Sequence, residues 1–101
     1  MTRRKFDVVI VGARCAGASL AVHLGRAGLS VALLDAARVP SDQPMSTHLI
    51  QPPGMDELAA LGVADPVRQL SPALRAVRFE VDGREMRLGY GTGRAAHCLQ
   101  R

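Results

Sequence analysis

The chain has 101 residues, enough for one domain or part of one, and its 48% hydrophobic content excludes a disordered polymer. Only 3% is aromatic, so a core must be built from Val, Leu and Ala, which suits helices packed on a sheet. The formal charge of +4 fits an anionic ligand, but the arginines are scattered from Arg3 to Arg101 with no interleaved aromatics, which argues against nucleic-acid binding.

Thr2-Arg3-Arg4-Lys5-Phe6 has the look of a twin-arginine export signal. Asp7 follows at once, and the uninterrupted apolar run Val8–Val11 is far too short for a signal core or a membrane span. We read basic residues leading into a buried strand. Phe6 to Val11, broken only by Asp7 and closed by Gly12, reads as a strand covered on both faces, hence a parallel sheet. From Ala16 to Ala27 the period becomes helical, with Leu20, Leu24 and Ala27 in line and Ala16, Gly17 and Ala21 as a small-residue surface. Gly28 suits the left-handed residue that ends a helix. Ser30 to Leu34 is a second buried strand closing on Asp35, which completes a βαβ unit.

Ala36 to Gln51 reads as a loop containing Pro40 and Pro44. Pro53 fits the first turn of a short helix through Leu61, with Met55, Leu58 and Leu61 on its apolar face and Gly62 as its stop. Asp65-Pro66 reads as a cap and first-turn proline for a helix to Leu70, ended by Ser71-Pro72. Val77, Phe79 and Val81 alternate with Arg78 and Glu80, Asp82-Gly83 follows, and Met86 and Leu88 flank Arg87. That predicts a hairpin over 76–88 with a two-residue turn. The tail from Gly89 shows glycines and little periodicity.

Cys15 and Cys98 make no disulfide framework, and with His23, His48 and His97 they give no metal-ligand spacing. A reduced, cytoplasmic chain is expected.

The chemistry concentrates between the first strand and the first helix. Gly12 and Gly17 fit the first and third glycines of the dinucleotide fingerprint G-x-G-x-x-G, and Asp35 follows Gly12 by 23 positions, where a ribose-binding acid is expected. The first glycine permits a tight turn and the third a close helix–strand approach. The unpaired amides at the helix start, with the helix dipole, suit a pyrophosphate. Arg14 stands at the second glycine. Its Cβ either crowds the pyrophosphate and weakens binding, or the turn shifts and the guanidinium pairs with a phosphate; a solvated arginine on the rim is a third reading. Cys15 sits at a helix N-terminus, where a thiol is activated, but with no base or partner cysteine it reads as a small packing residue.

"DVVIVGARCAGASLAVHLGRAGLSVALLD", followed by "VPSDQPMSTHLIQPPGMDELAALGV", resembles the N-terminal part of FAD-dependent oxidoreductases of the aromatic-ring hydroxylase and geranylgeranyl reductase group. The stretch from Ser46 to Gly54 is the more specific part. The resemblance implies an α/β fold: a Rossmann-like βαβ FAD-binding unit, then short helices and a β-hairpin, in an incomplete domain. It implies that Gly12, Ala13, Arg14, Cys15, Ala16 and Gly17 line the FAD pyrophosphate and that Asp35 holds the adenosine ribose. It favours a tolerated Arg14. An arginine often follows this acid in the family; here Ala36 does, and Arg38 is the candidate substitute. The resemblance also brings Ser46, Thr47 and His48 toward the flavin or substrate, although a loop histidine satisfied locally explains His48 as well.

The group's enzymes are several times longer, and their later Gly-Asp motif is missing, since no Gly-Asp dipeptide occurs. Asp82-Gly83 is better read as a hairpin turn, and the 76–88 hairpin resembles the start of the group's substrate-domain sheet. We therefore expect the front portion of a flavoenzyme, spanning 1–101, with a small-molecule substrate, NAD(P)H as reductant, and a complementary C-terminal fragment as partner. The competing readings are a NAD-binding Rossmann fragment and a non-catalytic truncated remnant.

Overall fold

A computed structural model describes residues 2–38 and 45–99. Two compact units divide the chain, Met1–Gln43 and Pro44–Arg101.

In the first unit, β1 (Val8–Val11) and β2 (Val31–Leu34) pair in parallel, from Val8 opposite Val31 to Val11 opposite Leu34. Parallel neighbours need a crossover, and α1 (Cys15–Arg26) supplies it. A side-chain clip fixes the register at the strand entrances. The Asp7 carboxylate accepts from the Ser30 amide at 2.8 Å and from its hydroxyl at 2.7 Å. The Asp7 amide in turn donates to the Ser30 hydroxyl at 3.0 Å.

The helix begins one residue ahead of the expected Ala16, with Arg14 as its N-cap. It ends at Arg26, Ala27 being its C-cap, and Gly28 takes the expected left-handed conformation at φ +87°. Its packed face differs from the expected stripe. Gly17, Ala18, Ala21 and Leu24 are half-buried, whereas Leu20 is 48% exposed and Ala16 and Ala27 are exposed. The close approach at Gly17 turns positions 17, 21 and 24 toward the sheet and Leu20 away from it.

The expectation of strands covered on both faces is also corrected. Ile10 is 8% exposed, but Val9 and Val11 on the opposite face are 57% and 83% exposed. The helix lies on one face only.

The second unit contains β3 (Leu49–Ile50), α2 (Pro52–Leu61), α3 (Ala64–Leu70), β4 (Ala73–Leu74), β5 (Ala76–Val81), β6 (Arg84–Gly89) and β7 (Ala96–Cys98). β7 is the middle strand of an antiparallel sheet in the order β3-β7-β4. Leu49 faces Cys98, and Ala73 faces His97. Two expectations change here. The stretch Ala36–Gln51 is not all loop, since it ends in β3, and its residues 39–44, with Pro40 and Pro44, lie outside the described residues. The tail is not featureless: β7 carries Ala96 at 0% and His97 at 6% exposure, at the centre of the unit. A three-residue strand is too short to print an alternation that a sequence reader can recognise.

α2 starts at Pro52, with the expected Pro53 in its first turn. Met55 is buried, Leu58 and Leu61 are half-buried, and Gly62 closes the helix at φ +82°. α3 starts at Ala64 after Val63, so Asp65 is not the expected cap. It lies inside the first turn, where its carboxylate takes the Arg68 guanidinium at 2.9 Å. The hairpin of β5 and β6 forms as expected, Val81 facing Arg84 across a two-residue turn. Asp82 at φ +49° and Gly83 at φ +71° give that turn the two left-handed residues a right-twisted hairpin prefers.

Candidate functional site

The turn between β1 and α1 is built by three local constraints. Gly12 leaves the strand at φ +109°, a conformation an L-residue resists. Its amide donates to the Leu34 carbonyl at 2.7 Å, which ties the turn to the end of β2. Third, α1 sits so near the turn that a Cβ on Gly17 would collide with the Gly12 carbonyl oxygen and lie 2.9 Å from its carbon. No side chain fits there.

Arg14 has φ −87° and ψ −163°, extended backbone open to any L-residue. The second glycine of the fingerprint is therefore not needed for the path of this turn. The exposed Arg14 also places its charge near Asp35.

The Ala18 amide donates to the Arg14 carbonyl at 2.8 Å, opening the helical ladder. The amides of Cys15, Ala16 and Gly17 precede it and have no acceptor within the helix. No acidic side chain occupies this first turn, so the positive end of the helix dipole stays available to an anion. The Ser19 hydroxyl donates to the Cys15 carbonyl at 2.6 Å and stiffens the turn. Cys15 itself is exposed, which corrects the reading of it as a packing residue.

Asp35 lies at the same mouth. One carboxylate oxygen accepts from the Ala13 amide at 2.8 Å and the other from the Ala37 amide at 2.7 Å. The Ala13 amide first, then that of Ala37 and the Arg14 charge, hold the carboxyl below its ordinary range. It is an anion at neutral pH, and each oxygen keeps acceptor capacity for a further donor such as a ribose hydroxyl. Gly12, Ala13, Arg14, Cys15, Ala16, Gly17 and Asp35 thus converge on one mouth with amide donors and a carboxylate. Those donors suit a diphosphate, and the carboxylate suits a sugar.

Ser46, Thr47 and His48 lie in the second unit, just ahead of β3. The Ser46 hydroxyl accepts from the His48 amide at 3.0 Å, and His48 has φ +57°. The Thr47 carbonyl lies 3.8 Å from the Cys98 sulfur. The glycine of the Pro-Pro-Gly stretch also has a local cause: a Cβ on Gly54 would stand 3.0 Å from Ile50 Cγ2, so α2 lies tight on β3. His23 is mid-helix in α1 and His97 is in β7. Among the described residues no three potential metal ligands come together, and no helix is long and apolar enough to cross a membrane.

A parallel βαβ unit with a glycine turn, open helix amides and an acid at the end of the second strand is a dinucleotide-binding unit. Residues 5–99 match the FAD binding domain family, and the chain belongs to that family. The squalene epoxidase erg1 of Aspergillus fumigatus is 48% identical over 59 residues, 58% of this chain and 12% of that protein. Squalene epoxidase 3 of Arabidopsis thaliana is 35% identical over 86 residues, 83% of this chain and 16% of its own length. The fold is shared with p-nitrophenol 4-monooxygenase PnpA from Pseudomonas putida DLL-E4. That crystal structure matches at a TM-score of 0.71 and 21% identity, covering 89% of this chain and 25% of the other. The chain therefore spans a small part of these proteins, and the family favours FAD over the NAD-binding alternative.

Proposed function

We propose that the chain grips the ADP part of FAD, as the FAD-binding portion of an oxygenating flavoenzyme. The pyrophosphate rests on the amides of the Gly12–Gly17 turn, with Ala13, Arg14, Cys15 and Ala16 lining it, and the Asp35 carboxylate takes the adenosine ribose. The observation that carries this is the convergence of open α1 amides with Asp35, whose oxygen is 2.8 Å from the Ala13 amide. Bound flavin supplies the redox chemistry; the chain supplies position and charge.

The named relatives are squalene epoxidases and a p-nitrophenol monooxygenase, so the whole enzyme is read as oxygenating a small molecule in the cytoplasm, with NAD(P)H as reductant. The hairpin over 76–88 is read as the start of the substrate-domain sheet. Catalysis would need polypeptide of the kind these relatives carry beyond the matched part, in one chain or as a complementary fragment.

Equilibrium dialysis of the purified chain against FAD, ADP and NAD tests the reading. ADP should bind and compete with FAD. Saturable FAD binding that ADP does not displace would remove the turn from the site.

A further inference from the structure

The second unit holds a pocket of about 140 Å³ lined by Pro52, Met55, Asp56, Arg68, Arg94 and His97. Nothing in the flavin reading uses it. At its wall, the buried His97 ring places Nδ1 3.0 Å from the buried Ser71 hydroxyl. That hydroxyl has one proton, and it donates it to the Val67 carbonyl at 2.6 Å. The serine oxygen therefore accepts, and Nδ1 carries the imidazole proton. Nε2 is then a bare acceptor, with no protein partner among the described residues. The same pocket is lined by two guanidiniums, Arg68 and Arg94, and by the Asp56 carboxylate. Arg94 reaches Asp56 at 2.8 Å, and Arg68 reaches Asp65 at 2.9 Å. Each pair uses only part of a guanidinium's five donors. The two ion pairs balance in charge, but each guanidinium keeps donors its carboxylate does not use, beside one neutral acceptor, and the guanidiniums disfavour a metal cation.

We propose that this pocket binds a small oxyanion that carries its own hydroxyl group, such as hydrogen phosphate or the end of a 2-hydroxy acid. Arg68 and Arg94 hold the anion, and its hydroxyl donates to His97 Nε2. One water needs roughly 10–15 Å³ of such space, so a pocket of about 140 Å³ admits a five-atom anion. Ser71 is a positioning residue: it selects the tautomer that makes His97 an acceptor.

Titration calorimetry on the full chain at pH 8 separates the possibilities. Hydrogen phosphate and sulfate then carry the same charge, but only phosphate has a hydroxyl. Glycolate and acetate form the matching organic pair, and the pair with the larger contrast identifies the source. The hydroxyl-bearing member should bind about tenfold tighter, the worth of one hydrogen bond. Arg68→Gln, at a half-exposed surface site, should weaken both members of a pair. Ser71→Ala should erase the contrast while leaving anion affinity in place. The proposal is overturned if neither pair shows a contrast, if Arg68→Gln binds as the parent does, or if a folded Ser71→Ala chain keeps the preference.

Discussion

The Asp35 carboxylate takes the amide proton of Ala13 at 2.8 Å, across the mouth of the turn that opens α1. The acid at the end of β2 and the turn after β1 are thus one hydrogen-bonded unit. Asp35 shapes the turn, and in the proposed reading the same carboxylate takes the ribose. Asp35→Asn presents an amide group that must orient its lone carbonyl oxygen to one partner only. ADP affinity should fall on the order of tenfold, as when a charged acceptor is lost. Asp35→Ala should lose more, because the turn itself loosens. Dialysis against labelled ADP checks both, and wild-type affinity in Asp35→Asn would end the ribose assignment.

Acid should loosen the first unit through two carboxylates. Asp7 is held below its ordinary range by the Ser30 hydroxyl first and the Ser30 amide second. Asp35 is held down by the Ala13 amide first. For a depressed folded pKa, stabilisation is complete above the unfolded value of about 3.9 and is lost as pH falls through the folded value. Urea midpoints should therefore be flat near neutrality and drop steeply below about pH 4. Asp7→Asn should lower the neutral-pH midpoint and flatten the acid slope. An unchanged slope in that variant would show that the clip between the strand entrances adds no stability.

Arg14 should prove a charge rather than a backbone element. Its φ of −87° is ordinary, so Arg14→Ala is expected to fold as the parent does, with a thermal midpoint shifted by no more than a typical surface substitution, about 0.5 kcal/mol. The Asp35 carboxyl should titrate at higher pH in this variant, since the arginine charge is one of the causes that lower it. Carbon NMR of the labelled carboxyl reads this directly. A titration that does not move would place the guanidinium too far off to matter.

The βαβ unit was legible because its signals are local and redundant: a β-branched run, a glycine, a helical period, a second run and an acid. The hairpin was legible for the same reason, Asp82-Gly83 sitting between two alternating runs. What escaped was set by contacts distant in sequence. β7 is a strand because Leu49–Ile50 and Ala73–Leu74 bracket it, and three residues carry no period of their own. The Ser71–His97 pair spans 26 positions and has no motif. The rotation of α1 escaped for a different reason. Leu20, Leu24 and Ala27 look like the packed stripe, yet the steric demand at Gly17 decides the face. Asp65 reads as a cap because it stands just before a proline, but the helix starts at Ala64, two residues ahead of the expected Pro66, and the carboxylate pairs with Arg68.

Gly17 supplies the strongest single test of how the site is made. A methyl group there would meet the Gly12 carbonyl oxygen, and backbone cannot swing aside as a flexible side chain can. Either α1 lifts from β1 or the turn after Gly12 opens. Overpacking of this kind typically costs about 1–3 kcal/mol, and the loss should appear as a lowered urea midpoint for Gly17→Ala. Both relaxations move the amides of Cys15, Ala16 and Gly17 away from the mouth, so FAD affinity should fall together with stability. Gly25, in the same helix, has nothing within 4 Å of an added Cβ. Gly25→Ala therefore serves as the matched control, and it should raise stability through its better helix propensity, by up to about 1 kcal/mol, while binding stays unchanged. Equal effects from the two substitutions would mean that helix propensity, not close approach, governs this turn.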